Sequence, residues 1–318
     1  MTQRFTHSRS ACCRACPRRH YLRYELGLSP VVDGYALRVG SGFHSVMEDQ
    51  DKGIDPAIKL DELVDNPYDL AIIAAMADGH NRRWELEPLE VVATELEFDL
   101  PLINPDTGKA TPVWTIAGKI DRIIRLPNGQ LALVDYKTTS LDFSPGSEYW
   151  TKLQMDYQPS IYLNAARTLG YAISRILYDV TVRPSLRPLK ATPEEKRKYK
   201  KTGELYANQR DVDESPEEYA VRVATWLEDH KDTAYARIEI ARLDQDLQDS
   251  QREIWMQQLT IRAMQRGGPG AWYRNPDACF LPYHCSFLPI CQNRDLETRT
   301  PDGFVRRENV HPELTTAI

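Results

Sequence analysis

Apolar and polar residues repeat with two different periods along this chain, and the changes of period divide it into elements. Between residues 90 and 137 the period is close to two. "EVVATELEFDL" (90–100), "VWTIAGKIDRIIRL" (113–126) and "QLALVDYK" (130–137) read as three strands, the last short and apolar enough to be buried. Pro127-Asn128-Gly129 separates the second from the third, and Asn-Gly suits the tight turns that close a hairpin.

Helical spacing precedes this block. "CPRRHYLRYELGL" (16–28) carries Pro17 in its first turn and Gly27 near its end. "GSGFHSVMEDQDK" (40–52) sets Phe43, Val46 and Met47 on one face behind Ser41 as a cap, and a third helix covers about 67–85. After the block, residues 150–168 read as one helix in spite of Pro159, and "SRILYDVTV" (174–182) as a further strand. Helix, three strands, helix, strand predicts an α/β fold, a mixed sheet flanked by helices.

From about residue 190 the pattern weakens. "KATPEEKRKYKKTGE" is charged and aperiodic, residues 215–266 predict two long helices, and Gly267-Gly268-Pro269-Gly270 ends the second. Residues after 296 form a polar tail expected to be poorly ordered. The chain thus divides into a basic N-terminal helix (1–30), an α/β core (31–185), a helical insertion (186–270), a cysteine-bearing segment (271–295) and a tail (296–318).

Composition narrows the class. With 318 residues, 42% of them hydrophobic, the chain is long and apolar enough to bury a large core. No apolar run approaches the roughly 20 residues that cross a bilayer. The N-terminus has arginines but no following apolar stretch, so no secretory signal is read. A cytoplasmic protein without a membrane partner is expected. The net charge of −6 argues against general coating of nucleic acid, but Arg4, Arg9, Arg14, Arg18, Arg19 and Arg23 precede the first acid, Glu25. At helical spacing with His20, Tyr21 and Tyr24, Arg14, Arg18, Arg19 and Arg23 can grip phosphates and stack on single-stranded bases, or form an exposed cationic helix whose tyrosines pack on the core.

The six cysteines are confined to the two ends: Cys12, Cys13 and Cys16, then Cys279, Cys285 and Cys291. In a reducing compartment such clusters favour metal ligation over disulfides.

The candidate chemistry lies in the hairpin. Asp135 and Lys137 end the apolar strand Leu131–Val134, and residues two apart on a strand share a face. Asp121 on the preceding strand falls opposite Asp135 across a spacing of about 4.8 Å. Two carboxylates on adjacent strands suit Mg²⁺ or Mn²⁺, which keeps waters and takes phosphate oxygens as further ligands. Lys137 can orient the attacking water or stabilise developing charge. A solvated Asp135–Lys137 ion pair is the plainer alternative. His44, four residues after Gly40, is a possible further ligand.

Gly40-x3-His44, "GKIDR" with Asp121, "DYK" with Asp135 and Lys137, and Gln158-x3-Tyr162 together resemble the PD-(D/E)XK nuclease superfamily, in particular its RecB-type and CRISPR-associated RecB-like exonuclease branch. The resemblance covers residues 10–182 and 275–293 and implies a restriction-endonuclease-like core. It implies that His44, Asp121 and Asp135 hold Mg²⁺ or Mn²⁺, that Lys137 is catalytic, and that Gln158 and Tyr162 engage DNA, either single-stranded or at duplex ends. It also implies an iron–sulfur cluster that staples the C-terminal segment to the core through Cys16, Cys279, Cys285 and Cys291. The usual spacing of the last three cysteines is C-x2-C-x5-C, and here it is C-x5-C-x5-C, so Cys12 or Cys13 can replace Cys279. Zinc is the rival occupant. The expected function is metal-dependent DNA cleavage, with a non-cleaving DNA-binding accessory of recombination, repair or spacer acquisition as the alternative. No G-x4-G-K-[ST] motif is present, so any helicase or recombination partner is a separate protein.

Overall fold

The computed structural model of the chain describes residues 2–56, 64–87, 89–280, 284–293 and 299–314. In chain order its elements are β1 (Gln3–Phe5), α1 (His7–Ala15), α2 (Pro17–His20) continued by a wide turn (Tyr21–Glu25), β2 (Leu28–Pro30), α3 (Tyr35–Asp51), α4 (Pro67–Trp84), β3 (Glu90–Ile103), β4 (Ala110–Arg125) and β5 (Leu131–Thr139). There follow α5 (Glu148–Met155), α6 (Gln158–Thr168), β6 (Ile173–Val182), α7 (Pro216–Asp229), α8 (Lys231–Ala234), β7 (Tyr235–Ala241), α9 (Asp244–Arg266), α10 (Leu288–Gln292) and β8 (Phe304–Arg306).

A six-stranded mixed sheet runs β1-β4-β5-β6-β7, with β3 on the other edge of β4. β4 is antiparallel to β3 and β5, β5 is parallel to β6, and β6 is antiparallel to β7. The expected α/β sheet flanked by helices is therefore present. The hairpin closes at Leu126–Gln130 (N···O 2.8 Å), which sets the register at Arg122↔Val134. Beyond that pair β4 and β5 part, and β1 takes the vacated edge of β4 along Trp114–Ile116. Asp121 and Asp135 are the first residues past the parting point.

Period-two patterning sends neighbouring side chains of the hairpin to opposite layers. Ile124, Ala132, Val134 and Tyr136 pack with α3, α4 and α7, while Ile123 and Leu133 pack with α6 and α9. The helix ends carry conventional stops. Asn66 caps α4 by accepting from Tyr68 N at 2.9 Å, and Ser215 with Glu218 forms a capping box on α7 ahead of Pro216.

Four sequence expectations are corrected. Residues 150–168 form two helices, because Pro159 cannot occupy a helix interior and instead sits in the first turn of α6. Extended Asp156 separates them. Residues 215–266 hold the two expected helices, α7 and α9, but Tyr235–Ala241 between them is a strand that covers the edge of β6. The tail carries β8, which pairs with β2, and buries His311 and Leu314. Finally, Gln3–Phe5 adds a strand not anticipated in the basic N-terminus. Among the described residues no helix is long and apolar enough to cross a membrane.

Candidate active site

The site forms where β4 and β5 diverge. Asp121 Oδ2 accepts a hydrogen bond from the backbone of Tyr136 at 2.9 Å, so the carboxylate fills the gap left by the missing ladder bond. Asp135 and Lys137 flank Tyr136 and form an ion pair with each other. From the other side α3 brings His44, whose Nδ1 lies 3.4 Å from Asp121 Oδ2. Gly40 explains how α3 approaches so closely. A Cβ there would stand 3.3 Å from Thr138 Oγ1, the residue after Lys137.

The break between α5 and α6 has a direct consequence for the site. It places Gln158 at the start of α6, where Oε1 accepts from Lys137 Nζ at 3.1 Å. Gln158 Nε2 in turn donates to the Tyr162 hydroxyl at 2.9 Å. Tyr162 meets the Phe98 ring edge-on (6.0 Å, 80°), and Phe98 lies over Gly118 of "GKIDR". A Cβ on Gly118 would come within 2.7 Å of Phe98 and 3.4 Å of Tyr162, so only glycine leaves room for both rings. Gly40, His44, Gly118, Asp121, Lys137 and Gln158 each thus meet a residue of another motif. The sequence expectation brought His44, Asp121, Asp135, Lys137, Gln158 and Tyr162 together, and all six converge.

Charge in this gap is unevenly shared. Burial opposes ionisation of Asp121, but His44, Lys137 and the Tyr136 N–H outweigh it and hold its carboxyl below the usual range. Burial pushes the Asp135 carboxyl up, the Asp121 charge adds to this, and Lys137 offsets only part. Lys137 and His44 both bind protons more tightly than usual, because the adjacent carboxylates outweigh their burial. Burial also raises the Tyr162 phenol well above its ordinary value. The neighbour of Asp135 Oδ2 is the Lys137 ammonium, its ion-pair and hydrogen-bond partner.

Two buried carboxylates that repel one another are suited to a hard divalent cation. The set of oxygens with one imidazole nitrogen matches Mg²⁺ or Mn²⁺ rather than a thiophilic metal. As the side chains lie, no three His, Cys, Asp or Glu groups among the described residues are close enough together to hold a metal ion.

The cysteine ends also converge. All six thiols are free. Asn275 N donates to Cys16 Sγ at 3.4 Å, and Cys279 Sγ lies 3.8 Å from Asn275 O. Burial, Cys285 and Cys16 all raise the Cys291 thiol, which places these three near one another. Cys13 belongs instead to the main core, where burial pushes its thiol up to about 12. Burial raises the Cys12 thiol less far, because Arg19 bonds to it. Arg18 and Arg19 both sit among neighbouring side chains at the joined chain ends. Arg18 is only 7% exposed, with its guanidinium 5.1 Å from the Tyr21 ring centre, and Arg19 is held by Cys12 with Cys16 and Cys285 nearby.

Sequence reasoning missed three charged residues beside Asp121: Glu48, Glu95 and Lys119. Glu95 ion-pairs with Lys119, and Glu48 and Asp121 both act on that pair. Lys119 was recoverable, since it stands two residues before Asp121 as Lys137 stands two after Asp135. Glu95 had no signal, because it sits where the strand alternation is interrupted.

A carboxylate pair and a lysine thus stand at the divergence of two strands, on a mixed sheet flanked by helices. The family model of the PD-(D/E)XK nuclease superfamily matches residues 4–292, and the chain belongs to that superfamily. No curated protein matches the chain. Among solved structures it is similar to a protein from Eubacterium rectale provisionally named an exonuclease, at 12% identity and a TM-score of 0.47, covering 82% of this chain and 81% of that one. It is also similar to a protein named SSO0001, at 16% identity and a TM-score of 0.23, covering 67% of this chain and 82% of that one.

Proposed function

We propose that this chain hydrolyses phosphodiester bonds of DNA with Mg²⁺ or Mn²⁺, working from strand ends. The observation that carries this reading is the Asp121–Asp135 pair with Lys137 fixed beside it by Gln158. His44, Asp121 and Asp135 would hold the ion, whose contribution when bound is to polarise the phosphodiester and neutralise charge on it. Lys137 keeps its proton under the influence of both carboxylates. Its part is therefore that of a donor to the developing oxyanion rather than of a base. Gln158 aims the ammonium, and Tyr162 fixes the amide of Gln158. The preference for strand ends rests on the resemblance of the four motifs to the RecB-type branch.

The thiols support a second part of the reading. Cys16, Cys279, Cys285 and Cys291 hold a [4Fe–4S] cluster that ties the chain ends together, with zinc as the competing occupant. Anaerobically purified protein should absorb near the visible charge-transfer region and contain iron. Zinc in place of iron would exclude the cluster.

The direct test is digestion of end-labelled single- and double-stranded DNA with Mn²⁺ or Mg²⁺, beside Lys137→Ala. Metal-dependent cleavage that the substitution lowers by about 10²–10³-fold is expected, the scale of removing one transition-state donor. Equal silence of wild type and variant, with both folded and binding DNA, would leave the non-cleaving accessory role in its place.

A further inference from the structure

Asp121 has acidic neighbours on two sides. On β5 it faces Asp135, as described. On β3 it faces Glu95, which lies between the paired positions Thr94↔Arg122 and Leu96↔Ile120. Glu95 adopts φ = 50°, the left-handed region that residues other than glycine rarely enter and that the surrounding structure must hold in place. Its side chain is 10% exposed. The neighbour of its Oε2 is the ammonium of Lys119. Glu48, one turn beyond His44 on α3, adds its charge to both.

Across three strands the charges therefore run Lys137 and Asp135 on β5, Asp121 and Lys119 on β4, then Glu95 on β3. Adjacent strands are about 4.8 Å apart. Two metal ions that share a bridging carboxylate in a phosphodiesterase stand about 3.5–4 Å apart. Asp121 and Glu95 thus put carboxylates on neighbouring strands, and Glu48 acts on the Glu95–Lys119 pair from α3. The Lys119 ammonium already lies there, and a divalent ion cannot share the same carboxylate oxygen with it.

We propose that Lys119 takes the place of a second divalent metal ion, so that this active site works with one ion and an ammonium on either side. This inference rests on the metal-dependent nuclease reading above. It assigns Glu95 the task of holding Lys119 against Asp121, and it explains why a strained, buried glutamate is kept there.

Counting ions tests it without reference to activity. Mn²⁺ is titrated into the full chain, with bound ion measured calorimetrically and free Mn²⁺ by electron paramagnetic resonance. Wild type should bind one Mn²⁺, Lys119→Gln two, and Lys119→Arg one. The double variant Glu95→Gln/Lys119→Gln should return to one, because the second set of oxygens is then incomplete. Two ions in wild type would overturn the inference while leaving the metal-dependent reading intact. A single ion in Lys119→Gln with wild-type circular dichroism would overturn it equally. If Lys119→Gln does not fold, the wild-type count still decides. Absence of any bound Mn²⁺ in wild type would sink the metal-dependent reading itself, and the inference with it.

Discussion

Asp135 and Asp179 are both buried carboxylates on neighbouring parallel strands, and they are opposites in every other respect. Asp179 pairs in register with Tyr136, one residue from Asp135, and is completely buried. His80 Nε2 lies 3.0 and 3.1 Å from its two oxygens, and Arg237 Nε donates to it at 2.8 Å. Arg237 is in turn stacked on Trp84, 4.0 Å from the ring centre. Burial opposes ionisation of Asp179, but His80 and Arg237 outweigh it and hold the carboxyl low. Asp135 has one ammonium, a second carboxylate for a neighbour, and a raised carboxyl. Burial of a charge does not mark a functional site. What marks it is burial left incompletely compensated, because only that leaves electrostatic work for a ligand to complete.

The comparison breaks or holds on paired substitutions. Asp135→Asn should lower cleavage by about 10²-fold or more, the loss of several kcal/mol of metal-assisted stabilisation. It should also raise the Tm of the metal-free protein, because the carboxyl removed is one that burial and Asp121 disfavour ionising. Asp179→Asn should do the reverse. Replacing that carboxylate leaves His80 and Arg237 buried without their anion and costs about 3–5 kcal/mol of stability. The specific activity of the folded fraction should be unchanged. Thermal melts and cleavage rates on the same preparations would decide. If Asp135→Asn melts lower than wild type in the absence of metal, the contrast drawn between the two faces is wrong.

The two faces also differ in how much of them the sequence announces. The catalytic face was legible because its residues are bound to short spacings: D-x-K on one strand, G-x2-D on the next, Q-x3-Y on a helix turn. Geometry over three or four residues is fixed by the strand or helix itself. The back face was not. Asp179 lies 99 residues from His80 and 58 from Arg237, and the three meet only after the sheet has formed. The same reason hid β7. "YARIEIA" alternates, with Ile238 and Ile240 against Arg237 and Glu239, but seven residues between two helical patterns are easily absorbed into them. β1 and β8 have three residues each, too few for any period to show. Pro159 was visible and underweighted; its usual place is the first turn of a helix, which is where it lies.

A smaller effect carries the contrast to the joined chain ends. His20 is wholly buried, stacked on Trp272 at 5.0 Å, with Arg9 Nε donating to its Nε2 at 3.2 Å. That nitrogen must stay an acceptor, so the ring is neutral. Burial first, then the Arg9 charge, pushes its pKa down to about 2. The unfolded chain takes up a proton near pH 6.5 and the folded one does not. The resulting stabilisation is complete above pH 6.5 and declines as the pH falls below it, by about 1.4 kcal/mol per unit for this one group. Asp179, whose folded carboxyl is held low, loses its contribution only further down, once the pH passes below the ordinary carboxylate range. Between pH 6.5 and 5.5 the two sites therefore separate cleanly. Denaturant unfolding at these two pH values should show that His20→Gln removes about 1 kcal/mol of the wild-type difference, whatever it does to stability at pH 7. An identical pH slope in wild type and His20→Gln would mean that the ring gains a proton in the folded chain, and that the incompletely compensated group is this one as well.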